Sequence, residues 1–362
     1  MKKLLTVLLV VIVAAGLWWV ANSSSPESRP SSSPEAGKQT ALNTRESEQP
    51  SSNVGSASAS DDQVKIDHSR SIDEDTEDDE YFDDRPATEI YKSADEAFEA
   101  LKKASLDYDD IVLEQFVDIA KDCSWCDELY EKVKEIAFAP DTDPDQRSFF
   151  TEVLATSGRV EDVKTLVEAI ENETNTELAD IYAESLELAV GGDDTVRYLS
   201  EKLNSENDLL QESVVAAITN QGSRLAAEVL YKHTVEKGDP DGYYSLGIGL
   251  GELVPEEEAL PYLRELALKR DAYSHLAVKA LLNNGTEGLR AVMSVLATSS
   301  NPEFDKEMLK DAIDHVSYEE EAEAYLKELL KSNPPKTVAD FAREILADFA
   351  LEEEEYQDDQ EQ

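Results

Sequence analysis

Residues 143–158, from Asp143 to Gly158, read DPDQRSFFTEVLATSG, and the fold can be argued outward from them. Asp143 is a residue type that caps the free N–H groups of a helix start. Pro144 is tolerated in the first turn, where its missing N–H costs nothing. Apolar residues follow at helical spacing, and Gly158 is suited to a left-handed stop. The opening recurs at Asp239-Pro240, Asn301-Pro302 and Asn333-Pro334, with Asn175-Thr176, Asn207-Asp208 and Arg270-Asp271 in the places between. The starts fall at 143, 175, 207, 239, 270, 301 and 333, always 31 or 32 residues apart. Each predicts the second helix of a repeating pair, with stops at Gly158, Gly191, Gly222 and Gly285.

The first helix of each pair carries an apolar i, i+3, i+7 stripe: Val163/Leu166/Ile170, Val196/Leu199/Leu203, Leu289/Val292/Leu296 and Ala322/Tyr325/Leu329. Ser93-Ala94-Asp95-Glu96 reads as the capping box of the first helix, and the Asp109–Lys121 helix, about 32 residues before Asp143, as the start of a degenerate first unit. Alternating β-branched runs are absent beyond Ser93. One pair cannot bury its apolar face alone, whereas stacked pairs share a continuous core.

The second helices resemble HEAT and HEAT-like repeats, whose pattern runs D-P-x-V-R-x-x-A-A-x-A-L-G-x-x-G. Asp143-Pro144, Arg147, Leu154 and Gly158 fit it, as do Asn207, Leu210, Val214, Val215, Ala217, Ile218 and Gly222. Asp271, Ala277, Val278, Ala280, Leu281 and Gly285 fit with one shift, and Asp239-Pro240 fits with Leu246 and Gly249-Leu250-Gly251. The units at 175, 301 and 333 depart from it. The resemblance covers about residues 93–351. It implies an all-α, right-handed α-solenoid of about eight helical pairs that binds other proteins. The 34-residue period and W-L-G-Y pattern of tetratricopeptide units are not seen.

The chain before the repeats reads differently. Lys2 and Lys3 precede an apolar run from Leu4 to Ala21, 18 residues that span about 27 Å as a helix. Trp18 and Trp19 close the run at headgroup level, and the lysines keep the N-terminus in the cytoplasm. Residues 1–21 are therefore expected to anchor the chain in a bacterial inner membrane, with the rest in the periplasm. A cleaved signal peptide and a soluble exported protein is the alternative. Residues 22–92 are rich in Ser and Pro and then in acids, the composition of a disordered linker; 61–85 holds 12 acids and three bases. Residues 352–362 form an acidic tail. The 362-residue chain has 80 Asp plus Glu against 33 Lys plus Arg, a formal charge of −47, so nucleic acid is a poor partner.

Chemistry-bearing residues are few. Cys123-Ser124-Trp125-Cys126 is the one cysteine pair, and in an exported chain it is expected as a disulfide. A thiol–disulfide redox or regulatory role is the alternative, if the helix start lowers a thiol pKa. Two thiolates without a nearby Cys or His pair do not complete a zinc site. Asp141, Asp143, Asp145 and Glu152 imitate a calcium loop, but position six is Gln146 instead of Gly, so helix capping explains them better. Gly247-Ile248-Gly249-Leu250-Gly251 is read as a helix interior with close packing. The four histidines, His68, His233, His275 and His315, are scattered, and no HExxH, GxSxG or Walker pattern occurs. No catalytic set, cofactor or metal is expected. Tyr182, Tyr243, Tyr244 and Tyr273 fall on second helices, which line the concave face in solenoids of this kind. They are the candidate binding residues, unless they pack between neighbouring pairs. The sequence thus points to a membrane-tethered periplasmic scaffold or assembly factor for a protein or peptide partner of basic character.

Overall fold

A computed structural model describes residues 85–238 and 248–360, without the side chains of Asp122 and 352–360. The expected anchor, the linker through residue 84, Asp239-Pro240, Tyr243 and Tyr244 lie outside the described residues. Among the described residues there are sixteen α-helices and no strand, so the fold is all-α. None of these helices is long and apolar enough to cross a membrane.

The helices are α1 (Ala87–Ile90), α2 (Ala94–Ala104), α3 (Asp110–Glu114), α4 (Cys126–Ala137), α5 (Pro144–Ala155) and α6 (Val160–Asn172). They continue with α7 (Thr176–Glu187), α8 (Gly192–Ser200), α9 (Asp208–Asn220), α10 (Arg224–Lys237) and α11 (Leu260–Lys269). The last five are α12 (Ser274–Leu282), α13 (Gly285–Ala297), α14 (Pro302–Met308), α15 (Glu320–Lys331) and α16 (Lys336–Gln360).

Most of the expected starts are real caps. Asp143 accepts from the Asp145 N–H at 3.0 Å, Asn175 from Glu177 at 3.1 Å, Asn207 from Leu210 at 3.2 Å and Asn301 from Phe304 at 3.3 Å. Two starts move by about three residues. Arg270 takes a left-handed backbone that ends α11, and Asp271 then accepts from the Tyr273 N–H, so α12 opens at Ser274. Asn333 is left-handed too, and the Pro334-Pro335 pair delays α16 until Lys336, with the Pro335 carbonyl accepting from Ala339.

Three expectations need correction. The Asp109–Lys121 helix breaks after Glu114, because Asp118 turns to a positive φ and donates its N–H to the Thr156 carbonyl at 2.8 Å. Gly249-Leu250-Gly251 is not α-helical: Gly249 has φ 103°, open to glycine alone, and a 3₁₀ turn spans Leu250–Glu252. The Gly249 N–H donates to buried Thr219 of α9. The described helices also extend to both sides of the expected 93–351. Ala87 is fully buried with its N–H on the Gln115 carbonyl, Tyr91 stacks on Phe116 at 5.7 Å, and α16 runs unbroken to Gln360.

One cluster of buried side chains extends from Ala87 to Phe349. First helices pack on the next first helices, α6 on α8, α8 on α10, α11 on α13 and α13 on α15. Second helices do likewise, α5 on α7, α7 on α9 and α12 on α14. A ladder of polar contacts bridges equivalent ends of successive pairs. Val190 N–H donates to Ala155 O (3.1 Å), Asn220 to Glu187 O (2.7 Å), Glu256 N–H to Gly222 O (2.8 Å) and Asn284 to Pro255 O (2.7 Å). The sequence separations across these bonds fall close to the repeat period, so the period seen in the caps is also the step between hydrogen-bonded neighbours.

Gly222 shows how close the approach is. It has φ 65°, and a Cβ there would sit 2.5 Å from the Val254 carbonyl oxygen of the next pair. Gly238 has the same backbone (φ 70°) with nothing within 4 Å. Gly222→Ala is therefore expected to lower the unfolding free energy by about 2–4 kcal/mol and Gly238→Ala by about 1 kcal/mol, read from urea unfolding followed by circular dichroism. Equal losses would remove the Val254 contact as the cause.

Candidate functional site

The two described candidate tyrosines, Tyr182 and Tyr273, do not share a surface. Tyr182 is only 4% exposed, in the interface between α5 and α7. Its hydroxyl accepts from Arg147 Nη1 at 3.1 Å, and its ring lies 5.4 Å from Phe138. Arg147, itself buried, also donates to the carbonyls of Ala137 (2.6 Å) and Ala139 (2.7 Å), closing the C-terminal end of α4. A buried phenol needs a polar partner, and the Arg147 guanidinium supplies it. Tyr182 is thus a core residue, which corrects the expectation that it lines a binding face. Tyr273 is half-buried before α12, its ring edge-on to Tyr231 of α10 at 6.3 Å. It belongs to the junction of α10 and α12, away from the α5–α7 interface that holds Tyr182.

Cys123 and Cys126 are bridged, with Cα atoms 5.4 Å apart. Cys126 is buried as the first residue of α4 and Cys123 is half-buried. Asp127 and Glu128 follow in the same first turn. Their negative charges offset the helix-start field that would favour a thiolate.

What the tertiary structure brings together is a row of carboxylates, Asp110, Glu152, Asp180, Glu184, Glu187 and Glu212, on helices that carry further acids. The second helices α5, α7 and α9 carry Asp145, Glu152, Glu177, Asp180, Glu184, Glu187, Asp208 and Glu212, and α3 adds Asp110 and Glu114. The only base on these four helices is Arg147, which points into the core. Glu152 is pushed up to about 7 by burial, reinforced by Asp110 and Glu184 against the hydrogen bonds from Tyr108 and Ser148. Glu187 is also pushed up to about 7, by burial and then by Glu184 and Glu212. Burial and Asp180 raise Glu184 as well. Carboxylates thus act on one another from α3 across α5 and α7 to α9. Among the described residues no three His, Cys, Asp or Glu side chains are grouped to hold a metal ion, so this row is spread along these helices instead of gathered at a point.

The cations are used elsewhere. On the first helices they lie over tyrosine rings of the neighbouring pair: Lys164 of α6 over Tyr198 of α8 (5.6 Å), Arg224 of α10 over Tyr262 of α11 (5.8 Å), and Arg290 of α13 over Tyr325 of α15 (4.3 Å). Buried Asp162 of α6 is paired with Lys134 of α4 at 2.8 Å and with Arg159 at 3.4 Å. Reading the sequence by repeat motif missed this segregation. The signal was present, since the stretches 144–155, 176–187 and 208–220 hold eight acids and one base.

Folding raises the Glu187 carboxyl from the ordinary 4.5 to about 7. Its contribution to stability is fully present below 4.5 and is lost as pH rises through about 7. Glu187→Gln is expected to flatten the fall in unfolding free energy between pH 5 and pH 8 by about 2 kcal/mol. Denaturant titrations at the two pH values measure it, and an unchanged slope would clear Glu187 of the effect.

No protein-family model matches the chain, and no curated protein matches it either.

Proposed function

We propose that the helix pairs form a right-handed HEAT-like α-solenoid whose acidic second-helix face docks a basic segment of a protein or peptide partner. In this reading the chain is a scaffold or assembly factor, held at a bacterial inner membrane by residues 1–21 with the repeats in the periplasm. The observation that carries it is the charge segregation. Ten acids on α3, α5, α7 and α9 are accompanied by one buried base. A face that leaves so much like charge together costs folding energy through self-repulsion, and a Lys- or Arg-rich partner would offset that cost. The serial packing of first on first and second on second helices supports the solenoid.

A photo-crosslinking amino acid placed at Asp180, Glu184 or Glu212, all exposed, tests the face in cells. Glu168 and Glu201, exposed on or just after first helices, serve as controls. The second-helix positions are expected to capture a basic protein and the controls to capture none. Changing Asp180, Glu184 and Glu212 together to Lys is expected to weaken that capture at least about tenfold, and added salt is expected to weaken it in the wild type. Equal capture from both faces, or capture indifferent to the triple change, would overturn the assignment.

A further inference from the structure

Tyr108 lies in the turn between α2 and α3, with φ 51°, a left-handed backbone that residues with a Cβ adopt reluctantly. Its surroundings hold it there. The ring packs edge-on against fully buried Phe149 of α5 at 5.5 Å. The hydroxyl donates to Glu152 Oε1 and lies 3.3 Å from Ser148 Oγ, both also on α5. One residue of the short first pair therefore reaches into the next pair and ends on a carboxyl group. We propose that Tyr108 and Glu152 form a proton-operated latch that seats the α2–α3 pair on α5, closed while Glu152 keeps its proton and loosened when it ionises.

The sign follows from what faces Glu152. The first pair presents Tyr108 and Asp110, its own helix presents Ser148, and α7 presents Glu184. Ionisation strengthens the hydrogen bond from Tyr108. It also places a poorly hydrated charge beside two carboxylates, one of which, Asp110, belongs to the pair being held. Burial and repulsion outweigh the hydrogen bonds, leaving the carboxyl raised to about 7, so the seated form is the protonated one. The neutral acid still accepts from the Tyr108 hydroxyl through its carbonyl oxygen, so the contact survives without the charge. Nothing in this device depends on the docking of a partner.

Hydrogen exchange of the full chain tests it, followed by mass spectrometry and corrected for intrinsic exchange rates at each pH. Between pH 6 and pH 8 the opening constant of residues 94–116 is expected to rise about tenfold, while α5 stays protected. Glu152→Gln, which can still accept from Tyr108, is expected to abolish that rise. Tyr108→Phe is expected to open the segment already at pH 6. A wild-type opening constant that does not change between pH 6 and pH 8 would overturn the latch, and this measurement needs no variant to fold. A rise that persists undiminished in Glu152→Gln would overturn it as well.

Discussion

The constraint on which the rest of the structure depends is that no helix pair here can cover its own apolar face. Leu166 of α6, Leu154 of α5, Leu186 of α7 and Leu199 of α8 are all fully buried, and their helices reach that state only by packing on helices of the neighbouring pair. At about 25 cal/mol per Å² of apolar surface removed from water, burial of this kind dominates the folding energy. Hydrogen bonding then aligns what burial brings together. Asn220, Gln221, Asn283 and Asn284 at the ends of second helices donate to carbonyls of the preceding pair, satisfying backbone groups that a helix end leaves open.

That arrangement also accounts for the charge distribution. First helices meet neighbours through partly exposed tyrosines, and a Lys or Arg laid over each ring serves both packing and electrostatics. Second helices meet through apolar residues, through the buried Arg147–Tyr182 hydrogen bond and through short hydroxyl bridges such as Thr151 to Ser185 at 2.7 Å. On α5, α7 and α9 the charged outward positions need no cation to complete an interface, and they are filled by Asp and Glu. The result is a run of three second helices, α5, α7 and α9, with eight acids and the single buried base Arg147, whereas the later second helices α12, α14 and α16 carry Lys279, Lys306, Lys336 and Arg343. Two glutamates of the acidic run, Glu152 and Glu187, titrate near neutrality because burial and like charge act in the same direction.

Much of the architecture was legible from local chemistry. Asp143, Asn175, Asn207 and Asn301 announce helix starts because a capping side chain acts on N–H groups two or three residues away. Where the chain used left-handed residues instead, at Arg270 and Asn333, the start slipped by a few residues, since such turns leave a weaker mark in the sequence. The degenerate first pair was overextended for a different reason. The Asp118 N–H is claimed by Thr156, a residue of another pair, and no local pattern reports that.

The sequence by itself determined that the described chain beyond about residue 93 is built of short helices, with starts at Asp143, Asn175, Asn207 and Asn301, because caps, stops and apolar stripes act within one helix or one turn. Only the tertiary structure decided which side chains face outward together. It took Tyr182 into the core beside Arg147, because a buried guanidinium and a buried phenol satisfy each other at 3.1 Å. It also set Asp110, Glu152, Glu184, Glu187 and Glu212 within reach of one another, though they lie on four helices spread over about a hundred residues. Charges so far apart in sequence acquire a common potential only when the helices that carry them are packed side by side.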